Sequence, residues 1–137
     1  MISIKLDEYG IKPTRAHETD AGLDLYSPID IKLGYGMRRT IRTGVHVVLP
    51  KGTVGFVKSK SGLMSKHGIT TDGTIDEGYT GEISVVLFNH DRQAYQVHKG
   101  DKIAQLVIVP VLYEDVEISE DMPFTDRGDN GFGSTGR

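Results

Sequence analysis

The sequence has no cysteine, no long apolar run and no excess of positive charge. The absence of cysteine excludes disulfides, iron–sulfur clusters and thiol chemistry, and it is compatible with a cytoplasmic location. No apolar run approaches the ~20 residues that a membrane-spanning helix needs, so we expect no membrane partner. Sixteen lysines and arginines stand against 19 aspartates and glutamates. The net charge of −3 argues against non-specific nucleic-acid binding, which relies on basic patches.

Several chemical motifs are also missing. The five histidines are scattered, with no pair at zinc-ligand spacing, so we expect no structural zinc site. No Gly-x-Ser-x-Gly elbow is present, which argues against hydrolysis through an acyl-enzyme. Residues 1–6 alternate like a strand and resemble neither a secretory signal nor a transit peptide. We therefore expect them to be part of the fold.

The residues that are present predict one all-β domain. Seventeen glycines and five prolines separate short runs rich in valine, isoleucine and threonine, and no long stretch repeats with a helical period. The one helical candidate is residues 62–67, which follow Ser61. Many short strands at this spacing predict a sandwich, barrel or jelly roll. The predicted strands are residues 2–6, 23–26, 29–33, 39–42, 45–49, 53–58, 69–71, 82–89, 95–97, 103–111 and 116–118.

Two of these strands, within residues 83–88 and 103–109, are apolar on both faces. Both faces therefore need cover. Either a second sheet covers one face and another copy of the chain covers the other, or a wholly intramolecular sandwich covers both. From Asp121 the composition changes, with four glycines in the last ten residues, which predicts a mobile tail with a functional role.

Four stretches could carry chemistry. Residues 73–82 place Asp76 and Tyr79 in a glycine-rich turn between apolar runs, which indicates a hairpin that holds a small molecule. Asp24 lies in an apolar run and needs a partner, so it either caps a local turn or faces a cation or a site water. Residues 58–62 could bind phosphate or be a solvated basic loop. Residues 131–136 could bind phosphate or be a disordered terminus.

In order along nearly the whole chain, five segments resemble the five motifs of the homotrimeric dUTPases. The segments are Ala21-Gly-Leu-Asp-Leu25, Lys60-Ser-Gly-Leu63, Gly73-Thr-Ile-Asp-Glu-Gly-Tyr-Thr-Gly81, Gly100-Asp-Lys-Ile-Ala-Gln-Leu106 and Arg127-Gly-Asp-Asn-Gly-Phe-Gly-Ser-Thr-Gly136. One such motif would be weak evidence, but five in the family's order are specific. The glycine-rich last segment is the most specific of them.

The resemblance implies a distorted jelly-roll or β-barrel subunit that forms a homotrimer with shared active sites. Residues 1–121 would form the jelly-roll domain, and residues 122–137 would form a flexible tail that closes over the site. The implied reaction is the Mg²⁺-dependent hydrolysis of dUTP to dUMP and pyrophosphate, with Asp76 as the general base that activates water. Such an enzyme limits uracil incorporation into DNA and supplies dUMP for dTMP synthesis.

The resemblance also implies roles for the other matching positions. The backbone of Gly73, Thr74 and Ile75 would read the uracil edge, and Tyr79 would pack under the deoxyribose. Asp24 would contact Mg²⁺ through water. The residues expected to contact the α- and β-phosphates are Lys60, Ser61, Gly62 and Gln105. The tail of a neighbouring subunit would stack Phe132 on uracil and grip the γ-phosphate through Arg127, Gly133, Ser134 and Thr135.

The sequence departs from the family pattern at two positions. Lys60 stands where arginine is usual, and lysine lacks the bidentate fork of a guanidinium. Gly78 replaces a common acidic residue, which makes this motif similar to that of the related dCTP deaminases. A deaminase would need a catalytic glutamate where Val86 stands and an arginine between residues 56 and 79, and both are missing. Another alternative is a nucleotide-sensing trimer with an unknown regulatory protein partner.

Overall fold

The computed structural model describes residues 1–136, and Arg137, the last residue of the predicted tail, lies outside them. Within this range the chain forms eleven strands and one helix. In chain order the elements are β1 (Ser3–Leu6), β2 (Gly22–Tyr26), β3 (Ile31–Leu33), β4 (Arg38–Arg42), β5 (Val45–Val48), β6 (Thr53–Lys58), α1 (Ser61–His67), β7 (Ile69–Thr70), β8 (Asp72–Ile75), β9 (Ser84–Asn89), β10 (Tyr95–Val97) and β11 (Lys102–Pro110).

The strands form four antiparallel sheets. Two sheets are pairs, β1 with β5 and β3 with β10, and the others have the orders β2-β11-β6-β8 and β4-β9-β7. Most pairings join strands that are distant in sequence, as in a jelly roll, and a register shift between Lys102 and Ala104 interrupts the β11–β2 pair. The predicted all-β, distorted jelly-roll class is confirmed.

The core consists of aliphatic side chains on the inner faces of the sheets. Strand β9 shows the pattern clearly, because Val85 and Leu87 are buried while Val86 and Phe88 point outward. Fully burying one such side chain stabilises the fold by about 1.5–3 kcal/mol. The largest fully buried side chains are Leu25, Leu33, Ile41, Ile69, Ile83, Leu87, Ile103 and Leu106.

The outer faces of the doubly apolar strands are only partly covered by the same chain. Val86 is 41% exposed and Phe88 is 36% exposed on β9, and Val109 is 36% exposed on β11. The exposed fractions do not decide between the two alternatives, so a wholly intramolecular sandwich and cover by a second copy of the chain both stay predictions.

Helix α1 begins at Ser61, one residue before the predicted start, and ends at His67. Gly68 stops it in the left-handed conformation, with φ of 59°, and donates its N–H to carbonyls of the last turn. No helix of residues 1–136 is long and apolar enough to cross a membrane.

The structure differs from the prediction at residues 116–118 and at residues 73–82, besides shifts in the bounds of other elements. Residues 116–118 form no strand, and Val116 and Ile118 are each 94% exposed, because no strand of the described chain offers them an edge. Residues 73–82 do not form a hairpin either. Strand β8 pairs with β6, whereas β9 pairs with β4 and β7, so this stretch crosses from one sheet to another.

Candidate active site

A four-residue turn directly after β8 carries the predicted catalytic carboxylate. The N–H of Tyr79 donates to the carbonyl of Asp76 at 3.1 Å and closes the turn. Gly78 has φ of 89°, a conformation that other residues rarely adopt. A Cβ on Gly81 would lie 2.5 Å from the Tyr79 hydroxyl, so glycine lets the ring lie against the backbone. The glycines therefore shape the turn and seat the tyrosine.

The inner side of this turn encloses a concavity of about 260 Å³. Both Asp76 and Tyr79 are exposed, and Tyr79 is 46% exposed. The concavity is lined by Thr74, Ile75, Asp76, Tyr79, Glu82 and Ser84. Four residues that the sequence assigned to one ligand thus share one surface. Gly73 lies further back on β8, where it pairs with Val57.

Glu82 lines this concavity and bonds it to distant parts of the fold. The sequence did not predict this role. Its carboxylate accepts hydrogen bonds from Tyr9 at 2.5 Å, Arg42 at 2.7 Å and the N–H of Gly44 at 2.9 Å. Burial raises the pKa of Glu82, but these three donors outweigh burial and hold the pKa below its usual value. The Glu82 carbonyl accepts the Tyr79 hydroxyl at 3.0 Å. Glu82 thus ties the tyrosine to the body of the fold.

Glu77 fixes the outer side of the turn, and it too was not predicted. It accepts the Tyr113 hydroxyl at 2.6 Å and the N–H of Gly52 at 2.8 Å. The Tyr113 hydroxyl and then the Gly52 N–H lower the pKa of Glu77. Tyr113 follows β11 closely, so this contact joins the Asp76 turn to the start of the C-terminal segment.

Asp24 lies buried on β2 between two ammonium groups. Its Oδ2 is 2.9 Å from Nζ of Lys102, and its Oδ1 contacts Nζ of Lys60. Burial raises the pKa of Asp24, but the hydrogen bonds and charges of the two lysines outweigh burial and lower it. Of the two roles that the sequence left open for Asp24, the structure shows the one that faces a cation.

Gln105, in the fourth predicted motif, joins the first motif to the residues just before the second. It lies on the central strand β11, in register with Asp24 on one side and Lys58 on the other. Its amide donates to the carbonyl of Ser59 at 3.0 Å. A Cβ on Gly22 would lie 2.3 Å from Oε1 of Gln105, so glycine is needed there to make room for this side chain.

The predicted phosphate loop lies beside Gln105. The hydroxyl of Ser59 bridges the backbone N–H and carbonyl of Thr71, each at 2.9 Å, and so fixes the loop. Ser61 and Gly62 follow in the first turn of α1, where both are exposed. The first turn of a helix has backbone N–H groups without helical partners. Lys60, Ser61, Gly62, Gln105 and Asp24 therefore belong to one polar cluster, which we call the lysine cluster.

The lysine cluster and the Asp76 turn occupy opposite ends of the β6–β8 pair. Asp72 is in register with Lys58, next to the lysine cluster, whereas Ile75 is in register with Gly55, next to Asp76. Three residues of strand separate these two positions by ~10 Å. The predicted base and the predicted phosphate ligands of one chain therefore form two separate surfaces.

The tail forms a third surface. Arg127, Ser134 and Thr135 line a concavity of about 450 Å³ together with Asp126 and Asn130. Among the described residues, all hydrogen bonds of residues 119–136 are made within that segment. Phe132 is fully exposed with φ of 49°, and Gly133 follows it with φ of 87°. The predicted tail residues are close to one another but do not contact the predicted base.

The donor set for a metal is small. Among residues 1–136 there is no group of three or more histidine, cysteine, aspartate or glutamate side chains that could hold an ion. Asp24 is a single carboxylate, and both of its oxygens contact lysine ammonium groups. The two ammonium groups repel a further cation at this carboxylate, so the described residues of one chain do not form a metal site by themselves, and an ion here would need its main ligands from a bound molecule.

The fold and these surfaces define an all-β, distorted jelly-roll protein with a carboxylate and a tyrosine in one surface concavity. The family model described as dUTPase matches residues 8–136, so the chain belongs to the dUTPase family. Among similar proteins, the deoxyuridine 5'-triphosphate nucleotidohydrolase of Clostridium novyi is 49% identical, over 96% of this chain and 95% of the relative. That of Mycobacterium bovis is 47% identical, over 97% and 92% of the two chains. The predicted family is confirmed.

Solved structures agree with this assignment. The dUTPase of Staphylococcus bacteriophage 80alpha with dUPNHPP superimposes with a TM-score of 0.93 at 30% identity, covering 100% of this chain and 99% of the phage chain. A mutant dUTPase from phage phi11 of S. aureus, described as revealing how a structural Mg(II) ion is coordinated, has a TM-score of 0.83 at 30% identity. It covers 89% of this chain and 98% of the phage chain.

Proposed function

We propose that this chain is a dUTP diphosphatase that hydrolyses dUTP to dUMP and pyrophosphate. The names of the relatives support this substrate, and one structural observation carries the proposal. A single concavity holds an exposed carboxylate, Asp76, and an aromatic wall, Tyr79, at the end of edge strand β8. These groups suit a nucleotide whose base, sugar and α-phosphate lie along the turn.

In the proposed reaction, Asp76 orients a water molecule and takes its proton as the water attacks the α-phosphate. The P–O bond to the β-phosphate breaks, and pyrophosphate leaves. Base catalysis by a positioned carboxylate contributes roughly 10²–10⁴ in rate. The remaining acceleration comes from fixing the triphosphate in line with the water.

Strand β8 reads the base in this proposal. It is the last strand of its sheet in the described chain, and such an edge presents unpaired backbone N–H and C=O groups. The backbone of Gly73, Thr74 and Ile75 would pair with the donor and acceptors of uracil. Cytosine inverts part of that pattern and would leave polar groups unpaired, a mismatch that costs about 10⁴–10⁵ in specificity.

Tyr79 discriminates the sugar. Its ring lies against Gly81 and its hydroxyl is held by the Glu82 carbonyl, so the ring has little freedom to move away. A deoxyribose can pack on this surface, whereas the additional 2′-hydroxyl of UTP would clash with it. The position of the ring therefore determines how strongly the site rejects ribonucleotides.

The complete site is shared between copies in a homotrimer. The ~10 Å of strand between the Asp76 turn and the lysine cluster is more than one α-phosphate can bridge, so the α- and β-phosphates bound at Asp76 would meet Lys60, Ser61, Gly62 and Gln105 of another copy. Exposed apolar side chains support association of copies. Apart from the outer faces of β9 and β11, they include Leu112, Val116, Ile118, Met122 and Phe124.

Asp24 and the lysines would serve the phosphates and their Mg²⁺. The ion would neutralise charge on the triphosphate when it is bound there, and Asp24 would contact it through water. The two ammonium groups already oriented by Asp24 are suited to attract the anionic chain. Lys60 supplies charge without the bidentate fork of arginine.

The tail would close the site over the bound nucleotide. Phe132 would stack on uracil, and the residues that would grip the γ-phosphate are Arg127, Gly133, Ser134 and Thr135. Arg127, Ser134 and Thr135 line one concavity, which supports this role. Closure excludes water and fixes the substrate, which is how lids promote such reactions. In a cell, this reaction limits uracil incorporation into DNA and supplies dUMP for dTMP synthesis.

The proposal is tested by measuring pyrophosphate release from dUTP, dCTP, dTTP and UTP with Mg²⁺. We expect dUTP to be preferred over each of the others by at least about 10²-fold. Release of ammonia from dCTP would instead identify a deaminase, which Val86 argues against. Binding of dUTP without turnover would identify a nucleotide-sensing protein.

A further inference from the structure

The imidazole of His46, on β5, lies between two hydrogen-bond acceptors at the base of the Tyr79 turn. Its Nδ1 is 2.8 Å from the carbonyl oxygen of Thr80, the residue directly after Tyr79. Its Nε2 is 3.0 Å from Oδ2 of Asp7, the residue directly after β1. The N–H of Asp7 in turn donates to the carbonyl of Gly44 at 2.8 Å. A continuous chain of contacts thus joins the turn to the N-terminal segment.

Both neighbours of the ring can only accept hydrogen bonds. A neutral imidazole carries one N–H and can satisfy one acceptor, whereas the imidazolium donates to both. The side chains of His46 and Asp7 are 21% and 29% exposed, so water only partly replaces a lost bond. The full set of contacts therefore requires a doubly protonated ring.

The surrounding charges favour that form. The Thr80 carbonyl and then Asp7 raise the pKa of His46, while partial burial and the positive charge of Lys5 oppose the rise. Lys5 lies opposite His46 in the β1–β5 register. The charged groups that act on the ring are Asp7 and Lys5.

We infer that His46, oriented by Asp7, is a positioning residue that fixes the Tyr79 turn and thereby sets the rejection of ribonucleotides. This inference rests on the proposed role of Tyr79 as the wall under the sugar. His46 touches neither the proposed substrate nor Asp76. It acts through Thr80, on the opposite side of Tyr79 from the turn's closing hydrogen bond at Asp76.

The preference of the site for dUTP over UTP should therefore depend on pH. The folded-state pKa of His46 is raised, so the double contact is complete below the ordinary histidine value of about 6.5 and is lost as pH rises through the raised pKa. Thr80 is exposed, so loss of the hydrogen bond to its carbonyl corresponds to about a three- to five-fold effect, in the lower part of the usual range. The preference for dUTP over UTP should therefore fall by about this factor between pH 6 and pH 9.

Two variants distinguish the pH-dependent positioning role of His46 from a general role in stability. In Asp7→Asn, the amide can donate to Nε2 of a neutral ring, so that Nδ1–H still donates to Thr80 at high pH. The dUTP-to-UTP ratio of kcat/KM should then vary by less than about two-fold over the pH range. In His46→Ala the ratio should be low and equally flat. The two substrates share base and triphosphate, so their own titrations cancel in the ratio.

The same ratio is insensitive to a fraction of unfolded enzyme, since both substrates are measured on one preparation. If the unaltered protein does not prefer dUTP at any pH, the proposed function fails. Two outcomes would refute the role of His46 while the proposed function stands. In the first, the unaltered protein prefers dUTP but its dUTP-to-UTP ratio of kcat/KM does not change with pH. In the second, this ratio falls with pH in Asp7→Asn as steeply as in the unaltered protein. The pH profiles of the unaltered protein and Asp7→Asn decide the matter even if His46→Ala does not fold.

Discussion

The turn from Asp76 to Glu82 and the tail from Asp126 to Gly136 have similar compositions but very different supports. Both are rich in glycine, lie on the surface and are assigned to the same ligand. The turn is tied to the fold through Glu77, Thr80 and Glu82, each bonded to residues distant in sequence. The described tail makes hydrogen bonds only within itself. Glycine content therefore does not decide whether a segment is preorganised, whereas long-range anchoring does.

Because of this difference, the turn and the tail suit different steps of the proposed reaction. A preorganised turn can place a base and a sugar-binding wall before the substrate arrives, and the energy for that order is supplied by folding. A tail with only local contacts must be ordered by the ligand, which costs binding energy but lets substrate enter and product leave.

Asp76→Asn should produce the largest effect, because it removes the base and leaves the anchored turn intact. We expect turnover to fall by roughly 10²–10⁴. Affinity for dUTP, measured by calorimetry, should stay within about three-fold, since the amide keeps the shape of the carboxylate. Asp115→Asn is the matched control, because Asp115 is an exposed carboxylate outside the proposed site. A large loss of affinity in Asp76→Asn alone would make Asp76 a binding residue rather than a base.

Removal of residues 127–137 tests the proposed role of the tail. The described part of this segment contacts nothing in the body of the fold through hydrogen bonds, so thermal unfolding and the oligomeric state should be unchanged. Activity should nevertheless fall by about 10²-fold, because misplacement of substrate groups has costs of that order. Full activity of the shortened chain would show that the site does not need a lid.

The all-β class was predictable because strand patterns are local, and β6 and β10 have the predicted bounds. The short strand β8 was missed because its sequence, Asp-Gly-Thr-Ile, looks like a turn until β6 offers it an edge. Residues 116–118 failed in the opposite way. Their sequence favours a strand, but strand formation requires a neighbour, and the described chain provides none.

The proposed site residues that lie in the family motifs were predictable from the sequence. The residues that hold them in place through contacts between distant parts of the chain were not. Asp24 clearly needed a partner, but its pairing with Lys102 depends on the register of β11 against β2. The contacts of Glu82 with Tyr9 and Arg42 span 73 and 40 residues. No local pattern encodes such pairings, although a carboxylate directly before buried Ile83 is a weak signal.

Glu82→Gln should weaken the hydrogen bonds that hold the Asp76 turn to the body of the fold, so that the turn becomes less ordered, like the tail. The amide cannot replace a half-buried carboxylate that accepts three hydrogen bonds, so we expect a loss of about 1–3 kcal/mol in the free energy of unfolding, measured with urea. The pKa of Glu82 is lowered in the folded state, so its contribution is present above the ordinary glutamate value of about 4.3 and disappears as pH falls through the lowered value.

The difference in stability between the unaltered protein and Glu82→Gln should therefore be largest near neutral pH and shrink in acid. A difference that is constant from pH 7 to pH 3 would show that the loss arises from packing and not from the charge of Glu82. Lower dUTP preference in the same variant would show that Tyr79 moves with its anchor.

Tyr113→Phe should have the smallest effect, and it tests whether the two regions communicate. The Tyr113 hydroxyl joins the C-terminal segment to Glu77 in the Asp76 turn. Tyr113 is exposed, so water can take the place of the lost hydroxyl, and Gly52 still holds Glu77. We expect kcat/KM for dUTP to change by less than about two-fold. Tyr35→Phe, at another exposed tyrosine, is the control. A loss in Tyr113→Phe as large as that caused by removing the tail would mean that the turn depends on the C-terminal segment, and the two regions would then act as one unit.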